Sequence, residues 1–133
     1  MKVYCAHSIA IGVITDPLNR ILITQRAADD THGGLWEFPG GKLKAHETAS
    51  EALCRELEEE LGLHVSGYQY LCAVQHTYAD GPVSFEIFHV HEYLGNATCR
   101  EAQMGMKWVE KKALSHFEFP PANLKIIEVI IGK

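Results

Sequence analysis

The apolar residues of this chain recur with two different periods. Runs rich in β-branched and aromatic residues, separated by turn-forming residues such as Asp16-Pro17, predict β-strands. These runs extend over residues 3–15, 20–26, 65–75, 82–94 and 106–109. The pair Asp80-Gly81 separates the third run from the fourth and predicts a turn. We therefore expect a protein in which strands dominate.

One segment has the period of an α-helix. Three leucines recur every four residues between positions 53 and 61 and predict a buried stripe. Thr48 and Glu51 have the spacing of a capping box, in which each side chain satisfies a backbone donor at the start of a helix. Gly62 suits the left-handed conformation that ends many helices. The pattern predicts a helix between Thr48 and Gly62.

The rest of the chain divides into a C-terminal helix, a helical turn and an irregular segment. Pro121 suits the first turn of a helix. The apolar residues that fall near one face of this helix are Leu124, Ile127, Ile130 and Ile131. Residues 110–116 predict one or two helical turns. Residues 27–41 combine glycines and a proline with bulky apolar groups, which predicts an ordered, functional loop.

Composition narrows the class of protein. The chain has 133 residues, 47% of them hydrophobic, and a formal net charge of −5. These values are typical of one globular domain, here residues 1–133, with a core of its own. The acidic balance argues against binding to a nucleic acid polymer. Because no apolar run reaches the roughly 18 residues of a membrane-spanning helix, we expect a cytoplasmic protein that does not enter membranes.

Cysteines and histidines give little indication of a metal site. The cysteines are widely separated and form no CxxC pair, so we expect reduced, buried thiols. They are Cys5, Cys54, Cys72 and Cys99. His89 and His91 would share one face of a strand. That arrangement is more typical of a polar strand face than of a ligand pair.

Carboxylates on the predicted helix give a stronger signal. Glu56, Glu59 and Glu60 fall within an arc of about 100°, whereas Glu58 points elsewhere. Acidic residues in the last turn oppose the helix dipole, and Glu56 and Glu60 repel each other. The alternatives are a solvated acidic face and a set of ligands for divalent cations. We favour the cation site, in which Arg55 would orient a ligand carboxylate.

A longer pattern includes these carboxylates. The chain carries Gly41, then Glu47, then Arg55-Glu56-Leu57-Glu58-Glu59-Glu60-Leu61-Gly62-Leu63. This matches G-x5-E-x7-R-E-U-x-E-E-x-G-U without a gap, where U is a bulky aliphatic residue, and resembles the Nudix box. Segments 26–29, 36–42 and 119–123 resemble the MutT branch of that family, whose members hydrolyse oxidised guanine nucleoside triphosphates.

The resemblance implies a fold and an activity. The fold would be the Nudix α/β/α sandwich, an α+β architecture with a mixed central sheet and a catalytic helix. The activity would be that of a nucleoside triphosphate pyrophosphohydrolase, most closely an 8-oxo-dGTP diphosphatase that yields a nucleoside monophosphate and pyrophosphate. A triphosphate and an acidic helix repel each other, so divalent cations must bridge them. We expect Mg²⁺, with Mn²⁺ as a substitute, in a monomer or weak dimer.

The resemblance also implies roles for single residues. The metal ligands would be Glu56, Glu59, Glu60, Glu101 and the carbonyl of Gly40. Arg55 would orient the carboxylates, and the general base would be Glu56 or Glu101. Arg26, Phe38, Lys42 and Asn123 would contact the substrate. Asn123 would form hydrogen bonds with the edge of the oxidised base. Lys42 would contact a phosphate.

The sequence leaves two alternative functions open. Where the MutT pattern has a second arginine near the base, this sequence has Asp80-Gly81-Pro82. That departure leaves a pyrophosphohydrolase preferring CTP or a modified dCTP as an alternative, which residues 34–38 resemble almost as well. A Nudix domain that binds nucleotides without turnover is a weaker alternative.

Overall fold

In the computed structural model, residues 7–29, 32–79, 81–101 and 103–132 are described. The strands are β1 (His7–Ile14), β2 (Ile21–Gln25), β3 (Trp36–Glu37), β4 (Gly40–Lys42), β5 (His64–Tyr78), β6 (Gly81–Leu94) and β7 (Gly105–Val109). Two α-helices, α1 (Ala49–Leu61) and α2 (Pro121–Ile131), accompany a 3-10 helix at Lys111–His116. The prediction that strands dominate is confirmed. The segment expected to be a loop, residues 27–41, contains β3 and the start of β4.

The strands form two sheets. The larger has the order β4-β1-β6-β5, and the smaller has the order β3-β2-β7. β1 and β6 pair in parallel from His7–Val83 to Ile14–Val90, while the other pairs are antiparallel. The larger sheet is therefore mixed, as the resemblance implied. β1 is a central strand, which explains its run of β-branched residues.

Successive side chains of β1 pack against different helices. Ala10 and Ile14 belong to the cluster built around the leucines of α1. Ile11 and Val13 belong to the cluster that includes the buried residues of α2. Because neighbouring side chains of a strand point to opposite faces, α1 and α2 cover opposite sides of the sheet. The α/β/α sandwich is confirmed.

The ends of α1 have the predicted caps. The hydroxyl of Thr48 accepts a hydrogen bond from Glu51 N at 3.1 Å, and the Glu51 carboxylate accepts one from Thr48 N at 2.9 Å. Gly62 has a φ of 75°, and its N–H donates to the Glu58 carbonyl at 2.9 Å. Local capping thus fixes both ends of the helix that carries the carboxylates.

The buried face of α2 differs from the prediction. Ile127 and Ile130 are buried as expected, but Leu124 and Ile131 are each 51% exposed. The other buried residues of the helix are Ala122, Asn123 and Ile126. α2 has apolar residues on more than one face, so the neighbouring strands decide which face packs.

The expectation of buried cysteines is wrong where the structure describes them. Cys54 and Cys72 are half-buried free thiols, and Cys99 is exposed. Cys99 lies in an irregular segment after β6, outside the sheets, where no neighbouring layer covers it. Cys5 lies outside the described residues. Among the described residues, no helix is both long and apolar enough to cross a membrane.

Candidate active site

Arg55 holds together the polar face of α1. Its guanidinium donates to both carboxylate oxygens of Glu47, at 2.7 and 3.0 Å. The same group donates to Glu56 at 3.1 Å and Glu59 at 3.2 Å, and to the Lys42 carbonyl at 3.0 Å. A planar guanidinium fixes such partners more rigidly than an ammonium could. Arg55 therefore restricts the side chains of Glu56 and Glu59, two of the predicted ligands.

Glu47 is the strongest partner of Arg55. The guanidinium, together with the backbone N–H of Lys44, lowers the pKa of Glu47 from 4.5 to about 2. The folded state therefore favours the charged form of the Glu47 carboxyl. The contribution to stability is complete above pH 4.5 and is lost as the pH falls towards 2.

We expect this loss to be visible in acid unfolding. With a chelator present, Glu47→Gln should be less stable than the unmodified protein at neutral pH. The difference should shrink between pH 4.5 and 2, because Glu47 becomes protonated there. Urea unfolding midpoints over this pH range measure the effect. Glu128→Gln on the exposed side of α2 is the control, and a constant difference for Glu47→Gln would contradict the assignment.

The carboxylate of Glu56 lies directly over Gly41. A Cβ atom added to Gly41 would fall inside van der Waals contact with the carboxylate carbon and both carboxylate oxygens of Glu56. Only glycine leaves this space free. Gly41, the first residue of the Nudix-box pattern, is thus in contact with Glu56, which lies fifteen positions later in the chain. The spacing of the pattern does not predict this contact.

Glu60 lies in the middle of a carboxylate cluster. Burial, its hydrogen bond to Glu56, and the charges of Glu56, Glu37 and Glu101 together raise the pKa of Glu60 to about 9. Like charges gathered in a partly buried place favour the neutral form of one of them. A divalent cation would favour the charged form of the same carboxyl.

The donor set therefore fits a hard divalent cation. Carboxylate oxygens and a backbone carbonyl are the ligands that Mg²⁺ takes, together with retained waters. In the part of the chain that the structure describes, no three His, Cys, Asp or Glu side chains converge into a preformed metal cage. Arg55 already donates hydrogen bonds to Glu56 and Glu59, and Glu60 lies close to Glu56. Cation binding must rearrange these contacts.

Glu101 reaches this region from a different part of the chain. The segment after β6 is tied to the end of α1, because Thr98 N and Arg100 N donate to the carbonyls of Leu61 and Glu60. The exposed Glu101 follows directly. A hollow of about 570 Å³ is lined by Glu101 and Arg100 from this segment and by Arg55, Glu58 and Glu59 of α1. Glu101 thus lies near the same face of α1 as Glu59.

A cleft of about 460 Å³ lies beside this cluster. Gly40, Gly41 and Lys42 of β4 line it, and Gly41 is next to the Glu56 carboxylate. Pro120 and Asn123, at the start of α2, also line it. Its other lining residues are Ile9, Ile11, Arg26, His32, Glu37, Phe38, Tyr78, Val83 and Phe85. All four predicted substrate contacts therefore border one cleft.

Asn123 is a buried polar residue that lines the cleft. It is only 8% exposed, and its side-chain oxygen accepts a hydrogen bond from Phe38 N at 3.4 Å. Its side-chain nitrogen donates to no group among the described residues. Phe38 is 1% exposed, and its ring stacks on the Phe119 ring with 5.5 Å between the centroids. Phe38 therefore forms a buried apolar surface of the cleft.

Three polar residues that line the cleft have no role in the sequence interpretation. Glu37 forms an ion pair with Arg26 at 2.6 Å, and His32 and Tyr78 also line the walls. Glu37 directly precedes Phe38 in the MutT-like segment 36–42, so its position in the sequence could have indicated a place in the site. Tyr78 and His32 have no such signal, because the chain fold alone brings them to the cleft.

Size alone does not identify the site. A larger open groove of about 680 Å³ lies elsewhere, between the β1–β2 turn, the 3-10 helix and the end of α2. Leu18, Arg20, Lys111 and Ile131 are among the residues that line it. None of the predicted site residues borders this groove. The chemistry of the smaller cleft is the reason to prefer it.

Comparisons with known proteins agree with the fold and the motif. The family model described as the NUDIX domain matches residues 10–129. A curated 8-oxo-dGTP diphosphatase from Haemophilus influenzae is 38% identical over 125 residues, which are 94% of this chain and 91% of that protein. A curated CTP pyrophosphohydrolase from Escherichia coli is 29% identical, over 92% of this chain and 90% of that protein.

A comparison with solved structures also shows similarity to a MutT protein. A structure from a study of MutT from Aliivibrio salmonicida and Vibrio cholerae has a TM-score of 0.81 and 34% identity. The match covers 96% of this chain and 98% of that one. The similarity therefore extends from the first described strand to the C-terminal helix.

Proposed function

Because this chain belongs to the Nudix family, we propose that it is a metal-dependent nucleoside triphosphate pyrophosphohydrolase that acts on 8-oxo-dGTP. The Haemophilus influenzae relative supports this substrate. One observation carries the proposal. A single cleft connects Gly41 and Lys42, beside the α1 carboxylates, with Asn123 on α2. A nucleotide bound there could direct its phosphates to the α1 carboxylates and its base to Asn123.

The proposed metal is Mg²⁺, with Mn²⁺ as a substitute. Glu56, Glu59, Glu60, Glu101 and the Gly40 carbonyl would hold it, and it would neutralise phosphate charge and lower the pKa of the attacking water. Removal of oxidised guanine nucleotides would protect DNA replication, and we place this activity in the cytoplasm.

The chain's own groups would orient the reaction. Water attacks the β-phosphorus, the bond from that phosphorus to the α–β bridging oxygen breaks, and a nucleoside monophosphate and pyrophosphate leave. Glu56 or Glu101 accepts the proton of the water. Arg55 keeps Glu56 in place through its 3.1 Å hydrogen bond. Lys42, which lines the cleft next to Gly41, is the proposed phosphate contact.

Asn123, at the start of α2, is the proposed base contact. Its side-chain nitrogen is available as a donor, because only the oxygen is used by Phe38 N. The apolar walls formed by Ile9, Ile11 and Phe85 suit a flat base with little water around it. Arg26, held by Glu37, borders the same space.

A nucleotide panel tests this function. The unmodified protein is given 8-oxo-dGTP, dGTP, CTP and dCTP with Mg²⁺, and pyrophosphate and monophosphate are identified as products. We expect the highest kcat/KM with 8-oxo-dGTP. A higher kcat/KM with CTP would favour the second candidate, which the Escherichia coli CTP pyrophosphohydrolase supports. Release of no pyrophosphate from any triphosphate, with Mg²⁺ or Mn²⁺, would leave a binding protein without turnover.

A further inference from the structure

Glu101 differs from the other predicted ligands in how it is held. Arg55 donates hydrogen bonds to Glu56 and Glu59. Glu101 is exposed, and among the described residues its carboxylate accepts no hydrogen bond and forms no ion pair. The position of a side chain without such partners depends on the backbone that carries it. The contacts that fix the backbone at Glu101 therefore decide whether this carboxylate reaches the α1 glutamates.

The residue that fixes this backbone is Arg100. Its N–H donates to the Glu60 carbonyl at 2.9 Å, and its guanidinium donates to the Glu58 carbonyl at 3.5 Å. Its side chain lies over Gly62, where an added Cβ would come within 3.0 Å of Arg100 Nη1 and 3.1 Å of Cδ. Arg100 therefore joins the residue that follows it, Glu101, to the last turn of α1.

The position of Arg100 excludes a direct contact with the nucleotide cleft. Arg100 lines the hollow beside α1 together with Glu101 and Glu59. It is not among the residues that line the cleft, and its guanidinium is directed to the end of the helix. Any influence of this side chain on the reaction must therefore pass through a neighbour, and the adjacent candidate is Glu101.

We propose, on the basis of the proposed function, that Arg100 is a positioning residue, which places the Glu101 carboxylate beside the α1 glutamates by fastening the backbone at Glu101 to the end of α1. The role needs a side chain that packs on Gly62 and also donates to a helix carbonyl. Lysine has a long apolar stem and an ammonium donor, so it should replace Arg100 in this role. Methionine packs in a similar way but cannot donate, so it should not.

A double-mutant cycle tests whether Arg100 acts through Glu101. The four proteins are the unmodified chain, Arg100→Met, Glu101→Gln and the double variant. For each we would measure kcat and KM with 8-oxo-dGTP and Mg²⁺, the thermal unfolding midpoint, and the Mn²⁺ dissociation constant without nucleotide. Arg100→Lys is the conservative variant. Lys107→Met is the control for the loss of one positive charge, because Lys107 is exposed on β7 and lines neither the cleft nor the hollow.

We expect Arg100→Met to lower kcat about 10-fold and to leave KM within about twofold. In the Glu101→Gln background the same substitution should change kcat at most about twofold, because no carboxylate is left to position. Arg100→Lys and Lys107→Met should keep kcat within about threefold of the unmodified protein. The thermal midpoint should fall equally in both backgrounds, so a general loss of stability would not produce this pattern.

The Mn²⁺ dissociation constant is a readout that needs no turnover. Loss of a positive charge beside a cation site should by itself tighten Mn²⁺ binding. The positioning role predicts the opposite sign, because a ligand carboxylate is released. We expect the Mn²⁺ dissociation constant of Arg100→Met to rise about threefold or more, with no rise in the Glu101→Gln background.

Where the protein hydrolyses triphosphates, the kcat cycle decides. An equal loss of kcat in both backgrounds, or normal kcat for Arg100→Met, overturns the positioning role while the proposed function stands. If the unmodified protein hydrolyses no triphosphate, the proposed function fails and the Mn²⁺ constants decide. In that case, tighter or unchanged Mn²⁺ binding by Arg100→Met overturns the positioning role, and weaker binding that depends on Glu101 supports it.

Discussion

Glu56→Gln is expected to lower kcat on the order of 10³-fold while the protein keeps its fold. Glutamine has nearly the same shape as glutamate but carries no charge, so it is a poor cation ligand and cannot act as a base. Glu56 is half-buried, and it contacts Arg55, Gly41 and Glu60. The substitution therefore removes charge from the centre of the cluster without leaving a cavity.

Three measurements separate a chemical defect from a structural one. They are kcat with 8-oxo-dGTP, Mg²⁺ or Mn²⁺ binding by calorimetry, and the thermal unfolding midpoint. Glu58→Gln is the control, because Glu58 lies on the same helix, and its side chain is 56% exposed and directed towards His64 at 3.8 Å. It should retain activity within about threefold. Near-normal turnover by Glu56→Gln would contradict the metal-site assignment.

Gly41→Ala is expected to have the second largest effect, a loss of roughly 100-fold in kcat. The new methyl group would occupy the place of the Glu56 carboxylate. That carboxylate is the far end of a flexible side chain, so it can move aside without unfolding the protein. In moving, it leaves its bond with Arg55 and its place beside Glu60.

The matched control for this substitution is Gly105→Ala. Gly105 also lies in a short strand, but the nearest atom to an added Cβ there, the side-chain oxygen of Gln25, is 3.8 Å away. We expect normal activity and similar stability for this variant. If Gly41→Ala kept full activity, the position of the Glu56 carboxylate would not matter for turnover. If it lost activity by unfolding, the thermal midpoint would show it.

The helix that carries the carboxylates could be predicted from the sequence because its signals are local. The Thr48 and Glu51 pair, the leucine stripe and Gly62 all act within one or two helical turns. Such interactions depend on sequence spacing alone. The same spacing showed the arc of Glu56, Glu59 and Glu60.

The buried face of α2 could not be predicted in the same way. Leu124 and Ile131 are as apolar as Ile126 and Ile130, yet the first two are exposed. The choice between these faces is made by β-strand residues distant in sequence. Asn123 is buried because Phe38 N, 85 positions away in the chain, provides a partner for its oxygen.

The site shows the same division. Gly41, Glu56, Glu59 and Glu60 could be identified as candidates because they stand in one continuous pattern. The contact of Gly41 with Glu56, the ion pair of Arg26 with Glu37 and the position of Tyr78 could not, since each joins separate elements of the fold. Sequence identified the chemical groups, and the fold determined which of them meet.

The segment that follows β6 has a consequence for the order of folding. The last turn of α1 contains acidic residues and no basic one, although the helix dipole is negative there. The Arg100 side chain lies against Gly62 and donates to the Glu58 carbonyl at 3.5 Å. Residues 47–60 contain six glutamates and one arginine. This helix therefore gains its full stability only when a residue from beyond the β5–β6 hairpin arrives, and we expect it to consolidate together with the sheet rather than before it.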